Sequence, residues 1–218
     1  MRTVVIASLL LIMVSCAEIS IPTSFPTSIP TGSKPLTTAE ITEGLKEALK
    51  VGAKNSTGLA SQTDGFFKNP QLFIPFPSEA EKVKNTLIKA GFTKQVDEFT
   101  LTLNRAAEKA TEKALPIFVD AITSMTISDA LGILKGENNA ATEYLKRTTS
   151  SQLQTTFKPI ARDAINKVNL TSYWEPLATN YNRITLLTGG KAVNPNLEDY
   201  VTQKAIDGLF ILIAKEEK

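Results

Sequence analysis

Asn104, Arg105, Glu108, Glu112 and Asp120 are the residues whose types and spacing come nearest to chemistry. On a helix, Asn104 and Glu108 stand at i,i+4 and Arg105 and Glu108 at i,i+3, so the three share a face and can bond one another. Glu108 and Glu112, one turn apart with Asp120 beyond, are the nearest approach to paired carboxylates for general acid and base work. The competing reading is a solvated face, because Lys109 and Lys113 accompany the two glutamates at ion-pairing spacing. No catalytic residue is assigned from this pattern. Polar residues on an otherwise alanine-lined helix must find partners when buried, so Asn104, Arg105 and Glu108 are expected to form a structural cluster tying that helix to a neighbour. If they point to solvent instead, the cluster is free for binding.

Two absences exclude most familiar site chemistry. There is no histidine among the 218 residues, which removes Ser-His-Asp and Cys-His arrangements, HExxH zinc sites and Glu-x-x-His di-iron motifs. Cys16 is the only cysteine, so no disulfide forms within the chain and no thiolate nucleophile lies in the body. Gly189-Gly190-Lys191 lacks the upstream glycine and following Ser or Thr of a phosphate-binding loop. Glu137, Asn138 and Asn139 offer oxygen donors without the spacing of a calcium loop. No metal and no cofactor is implied. A net charge of +2, with both signs interleaved, gives no basic stripe for a phosphate backbone, so nucleic acid is not an expected partner.

The elements that would position these residues begin with an address. Met1-Arg2 precedes the apolar run Val4–Val14, interrupted only by Ser8 and too short to span a bilayer as a helix of about 20 residues. Residues 1–15 therefore read as a signal peptide. The run closes on Met13-Val14-Ser15-Cys16, which resembles a bacterial lipobox with Met13 in the place usually held by Leu; an ordinary secretory peptide is the alternative. Cys16 is then the lipidation site and the chain's link to the membrane, since each buried methylene contributes about 0.8 kcal/mol. Ala17, rather than Asp, resembles the sorting signal for the outer membrane of a Gram-negative cell envelope. Residues 16–36 form a Pro/Ser/Thr-rich tether with Pro22, Pro26, Pro30 and Pro35, able to reach on the order of 60 Å in polyproline II.

From 37 to 218 the sequence reads as one all-α domain of six to eight helices, with no useful period-2 alternation. Thr37-Thr38-Ala39-Glu40 is a capping box for a first helix that Asn55-Ser56-Thr57-Gly58 ends. Asn69-Pro70 through Phe76-Pro77 cannot be helical and is expected to run extended over the core. A helix from Ser78 is closed by Gly91, and Val96, Phe99, Leu103, Ala106, Ala107, Ala110 and Ala114 line the next. Pro116 starts a turn. Thr126 caps Ile127–Leu134, and Asn138 or Asn139 caps a longer helix to Val168, with a kink or break at Pro159. Ser172-Tyr173-Trp174-Glu175 is another capping box, and Asn196 caps the last helix. That helix is apolar on nearly every face across 205–213, so it is expected to be buried by the earlier helices, with Gly208 letting one of them come close.

LNRAAEKA (103–110), ISDALGILKGENNAATEYL (127–145) and EDYVTQKAIDGLF (198–210) resemble recurring patterns of the bacterial family of domain of unknown function 4197. With LKEALKVGA (45–53) and the apolar-proline segment near Ile74-Pro75, the resemblance spans nearly all of 38–214. It implies a secreted, often lipid-anchored helical protein with no assigned activity, so it carries no catalytic residue over. It also implies a further Arg- and Pro-containing segment beyond the position of Glu216-Glu217. On that expectation, one side of the last helix or its neighbours stays open as an apolar patch. The leading functional expectation is a lipid-anchored binding module with an unknown protein partner. The alternatives are a carrier of an apolar ligand between helices and a carboxylate-based hydrolase.

Overall fold

Helix formation starts at the first capping box. The Thr37 hydroxyl accepts from the Glu40 amide at 3.2 Å, and a Glu40 carboxylate oxygen accepts from the Thr37 amide at 2.8 Å, which fixes the start of α1 (Thr38–Ser61). The computed structural model describes residues 35–78, 81–89, 91–167, 174, 178, 179, 181–183, 186, 192 and 196–218. Cys16, the signal peptide, the tether and Gly189-Gly190-Lys191 lie outside them, as does most of the capping box at 172–175. Among the described residues there are six further helices and no strand: α2 (Glu81–Lys89), α3 (Thr93–Thr111), α4 (Ala114–Thr123), α5 (Ile127–Leu134), α6 (Ala140–Ile165) and α7 (Leu197–Glu216). No single one is long and apolar enough to cross a membrane.

Several boundaries differ from the sequence reading, each for a local reason. Asn55-Ser56-Thr57-Gly58 does not end α1. The Thr57 hydroxyl donates back to the Ala53 carbonyl, and burial of Ser56, Thr57 and Ala60 holds the next turn on the core. The chain breaks between Thr111 and Ala114, so Ala114 and Pro116 belong to the first turn of α4, where a missing N–H has no helical partner to lose. Pro159 neither breaks nor ends α6, because Phe157, Ala161 and Ile165 stay buried on either side of it. Neither Asn138 nor Asn139 caps α6 with its side chain; the carboxylate of Glu217 does, accepting from the Ala141 amide at 2.8 Å and the Thr142 amide at 3.0 Å. The Thr126–Asp129 capping box of α5 and the Asn196 cap of α7 stand where the sequence places them.

α7 packs against α1, α3 and α6 and forms the centre of the helical unit Leu36–Lys218. Leu209, Phe210, Leu212 and Ile213 are 0%, 6%, 6% and 4% exposed, so this is a core helix, and among its large apolar residues only Ile211 is open to solvent. What approaches Gly208 is not a helix but Phe66, on the segment between α1 and α2. A Cβ at 208 would lie 2.8 Å from the Phe66 ring. Phe66 is fully buried, and its removal from water contributes about 1.5–3 kcal/mol. Phe76 and Phe99 extend this core towards Trp174, with ring centroids 5.3 Å apart between the two phenylalanines and 5.5 Å from Phe76 to Trp174.

Helix propensity and packing therefore oppose each other at Gly208. Alanine adds about 1 kcal/mol of helix propensity but overpacks Phe66 by about 1–3 kcal/mol. Gly208→Ala is expected to lower the urea midpoint, whereas Gly58→Ala in α1, which meets nothing within 4 Å, is expected to raise it. Equal stabilisation by both variants would refute the close approach.

Candidate functional site

The segment between α1 and α2 carries three prolines, Pro70, Pro75 and Pro77, and cannot pair its own buried amides as helix or sheet. The polar face of α3 supplies the partners. The buried Glu108 Oε1 accepts from the backbone amides of Phe66 and Phe67, both at 3.1 Å, while its Oε2 accepts from Arg105 at 2.6 Å. Asn104, fully buried, accepts from the Ile74 amide at 2.9 Å and donates to the Ile74 carbonyl at 2.8 Å, as a neighbouring strand would. It also donates to the Thr100 carbonyl at 2.8 Å. Asn104 does not bond Glu108; the two hold opposite ends of one segment.

Arg105 completes the cluster at its edge. Its second nitrogen donates to Asp64 at 2.6 Å, and its guanidinium lies 5.7 Å from the centroid of the Phe67 ring. Bonds from Glu108 and then Asp64 raise its pKa further above the usual arginine value. Asp64, with a left-handed φ of 68°, is held below the ordinary carboxylate range by Lys68 and then by Arg105. α7 secures the same segment from the other side, where the Tyr200 hydroxyl donates to the Pro75 carbonyl at 3.1 Å and Lys215 donates to Gln71.

The structure brings Asn104, Arg105 and Glu108 together around residues 62–77, but it does not bring a carboxylate pair together. Glu108 faces the interior with three donors on it, whereas Glu112 pairs with Lys109 at the surface at 2.6 Å and Asp120 is exposed on α4. Glu137, Asn138 and Asn139 are exposed in the turn before α6. Among the described residues no three Asp or Glu side chains gather as a cation site.

A second feature is a cleft of about 190 Å³ between α1, α5, α6 and α7, lined by Leu45, Leu49, Gly52, Ile133, Leu145 and Ile213 and edged by Glu216 and Glu217. Glu216 accepts from Asn55 at 2.9 Å and Glu217 caps α6, so both carboxylates are engaged. Sequence reasoning missed both roles, and no local signal carries them, because the partners lie far apart along the chain.

A model of the family described as protein of unknown function (DUF4197) matches residues 35–218. No curated protein and no solved structure matches the chain.

Asn104→Asp tests the buried clamp. The variant keeps an acceptor for the Ile74 amide but turns a carboxylate towards two carbonyl oxygens, which raises its folded-state pKa above an unfolded value of about 3.9. Stability relative to wild type is then retained below about pH 4 and lost as pH rises through the folded pKa, reaching a deficit of about 3 kcal/mol at pH 7. Denaturant melts of both proteins across that range check it, and a pH-independent difference would refute the geometry.

Proposed function

The chain belongs to the DUF4197 family, and on that premise we propose that it is a lipid-anchored, non-enzymatic binding module of the bacterial cell envelope, acting on a protein partner. The observation that carries the non-enzymatic part is the fate of the α3 polar face. Glu108 and Asn104 have their hydrogen-bonding groups turned on the 62–77 segment, and Arg105 is divided between two carboxylates, so none of the three is left to transfer a proton or hold a substrate. The anchor is read from the sequence. Cys16 is the sole cysteine and closes the sole long apolar run at the N-terminus, with a proline-rich tether between it and the helical domain. Outer-membrane placement rests on Ala17.

The cleft between α1, α5, α6 and α7 favours a second reading, a carrier of an apolar ligand. Its volume weighs against that reading. At about 190 Å³ it is near the size of a cavity that accepts benzene and below the roughly 300–1,000 Å³ of ordinary ligand pockets. Native mass spectrometry separates the two, since a copurifying lipid favours the carrier and an empty domain favours the partner-binding module.

Cys16→Ser tests the anchor. Cells fed an alkyne-bearing fatty acid are expected to label the wild-type protein and leave the variant unlabelled, with the variant unprocessed or released from the membrane fraction. Equal labelling of both proteins, or none in wild type, contradicts the proposal.

A further inference from the structure

We propose that the turn joining α2 to α3 docks onto the surface of an anionic phospholipid bilayer, an inference that rests on the lipid-anchored reading above. α2 is the one helix among the described residues that buries no side chain fully. Val83 and Leu87 lean on the core, and the opposite side of the turn carries Ile88 and Phe92, 37% and 42% exposed. Gly91, at φ 91°, reverses the chain between them, with the Phe92 amide donating to the Leu87 carbonyl at 2.9 Å and the Gly91 amide to the Ile88 carbonyl at 3.0 Å. Two large apolar side chains are thereby projected from one tight turn.

The charge around them has one dominant sign. Residues 81–95 contain four lysines, Lys82, Lys84, Lys89 and Lys94, and one acidic residue, Glu81. Glu81 pairs with Lys84 at 3.2 Å, and Lys94 reaches Glu98 of α3 at 3.7 Å, with Asp97 the other carboxylate nearby in sequence. Lys82 and Lys89 make no ion pair among the described residues. Beside Lys82 lies a recess of about 200 Å³ lined by Val83, Thr86, Leu87 and Tyr181. An apolar recess with an ammonium group beside it, next to exposed Ile88 and Phe92, fits the interfacial zone of a bilayer. Acyl carbons meet apolar side chains there while lysines reach phosphate oxygens. A tether of twenty residues, reaching on the order of 60 Å, lets the turn meet the surface that holds the anchor.

The test uses the acylated protein in vesicles of phosphatidylcholine alone or of an equimolar mixture with phosphatidylglycerol, both with brominated acyl chains. Phe92→Trp supplies the probe, and Trp174, the only native tryptophan and a buried one, serves as internal reference. The expected result is quenching of the introduced tryptophan on the mixed vesicles alone, reversed by high salt. Lys82→Gln combined with Lys89→Gln is expected to lower the ratio of docked to free protein about 20-fold, from about fivefold per lysine. An unquenched probe on anionic vesicles overturns the proposal, as does quenching that neither salt nor the double substitution changes; a protein partner then becomes the occupant of the turn. The anchor is scored separately by flotation on phosphatidylcholine alone. A chain that floats with its probe unquenched loses the docking and keeps the anchor. A chain that fails to float there, yet is quenched on anionic vesicles, loses the anchor and keeps the docking.

Discussion

The structure depends on one buried carboxylate, that of Glu108, and on what it holds. A segment with three prolines must cross the core between α3 and α7, because its Phe66, Leu72, Ile74 and Phe76 fill space that no helix side chain fills. Leaving the amides of Phe66 and Phe67 without acceptors there costs about 1–3 kcal/mol each, so the crossing is stable only if something replaces a ladder. Glu108 accepts both amides, and one turn earlier Asn104 pairs with both backbone groups of Ile74. Two side chains on successive turns of one helix thus do what a neighbouring strand does in a sheet. Arg105 neutralises the inner carboxylate, and Asp64 in turn engages Arg105 at the surface.

This arrangement limits what the domain can do. A general acid or base needs a proton-accepting site open to substrate, and Glu108 has donors on both oxygens inside the protein. The Asp64 carboxylate, held below its ordinary range, adds stability above an unfolded pKa of about 3.9 that is lost as pH falls through the folded value. The cluster is therefore a structural clasp whose strength changes in acid rather than at neutral pH. What remains available to the outside is surface, including the lysine-bearing turn after α2 and the cleft at the C-terminal end of α7.

Much of the helical plan was legible because its signals are local. The Thr37–Glu40 and Thr126–Asp129 boxes, the Asn196 cap and the apolar run of α7 each lie within a few residues of the element they specify. The polar face of α3 was legible as a cluster needing partners, but not as a clamp on 62–77, because nothing near Asn104 points to Ile74. Glu217 as the cap of α6 was invisible for the same reason, since the competing local candidates Asn138 and Asn139 have the right residue type and the wrong geometry. Stop signals misled where tertiary burial overrode them. Asn55-Ser56-Thr57-Gly58 reads as an end, yet Ser56 and Thr57 face the core, and Pro159 reads as a break within a helix pinned by Phe157 and Ala161.

The central claim is that α3 side chains hold the 62–77 segment as firmly as secondary structure would. Native-state hydrogen exchange on the amides of Phe66, Phe67 and Ile74 tests it most directly, because exposed loop amides and core amides differ by most of the global unfolding free energy. The expected result is protection of all three matching the buried middle of α3 around Leu103 and Ala107. Exchange of these amides at the rate of an open loop, with α3 still protected, would contradict it.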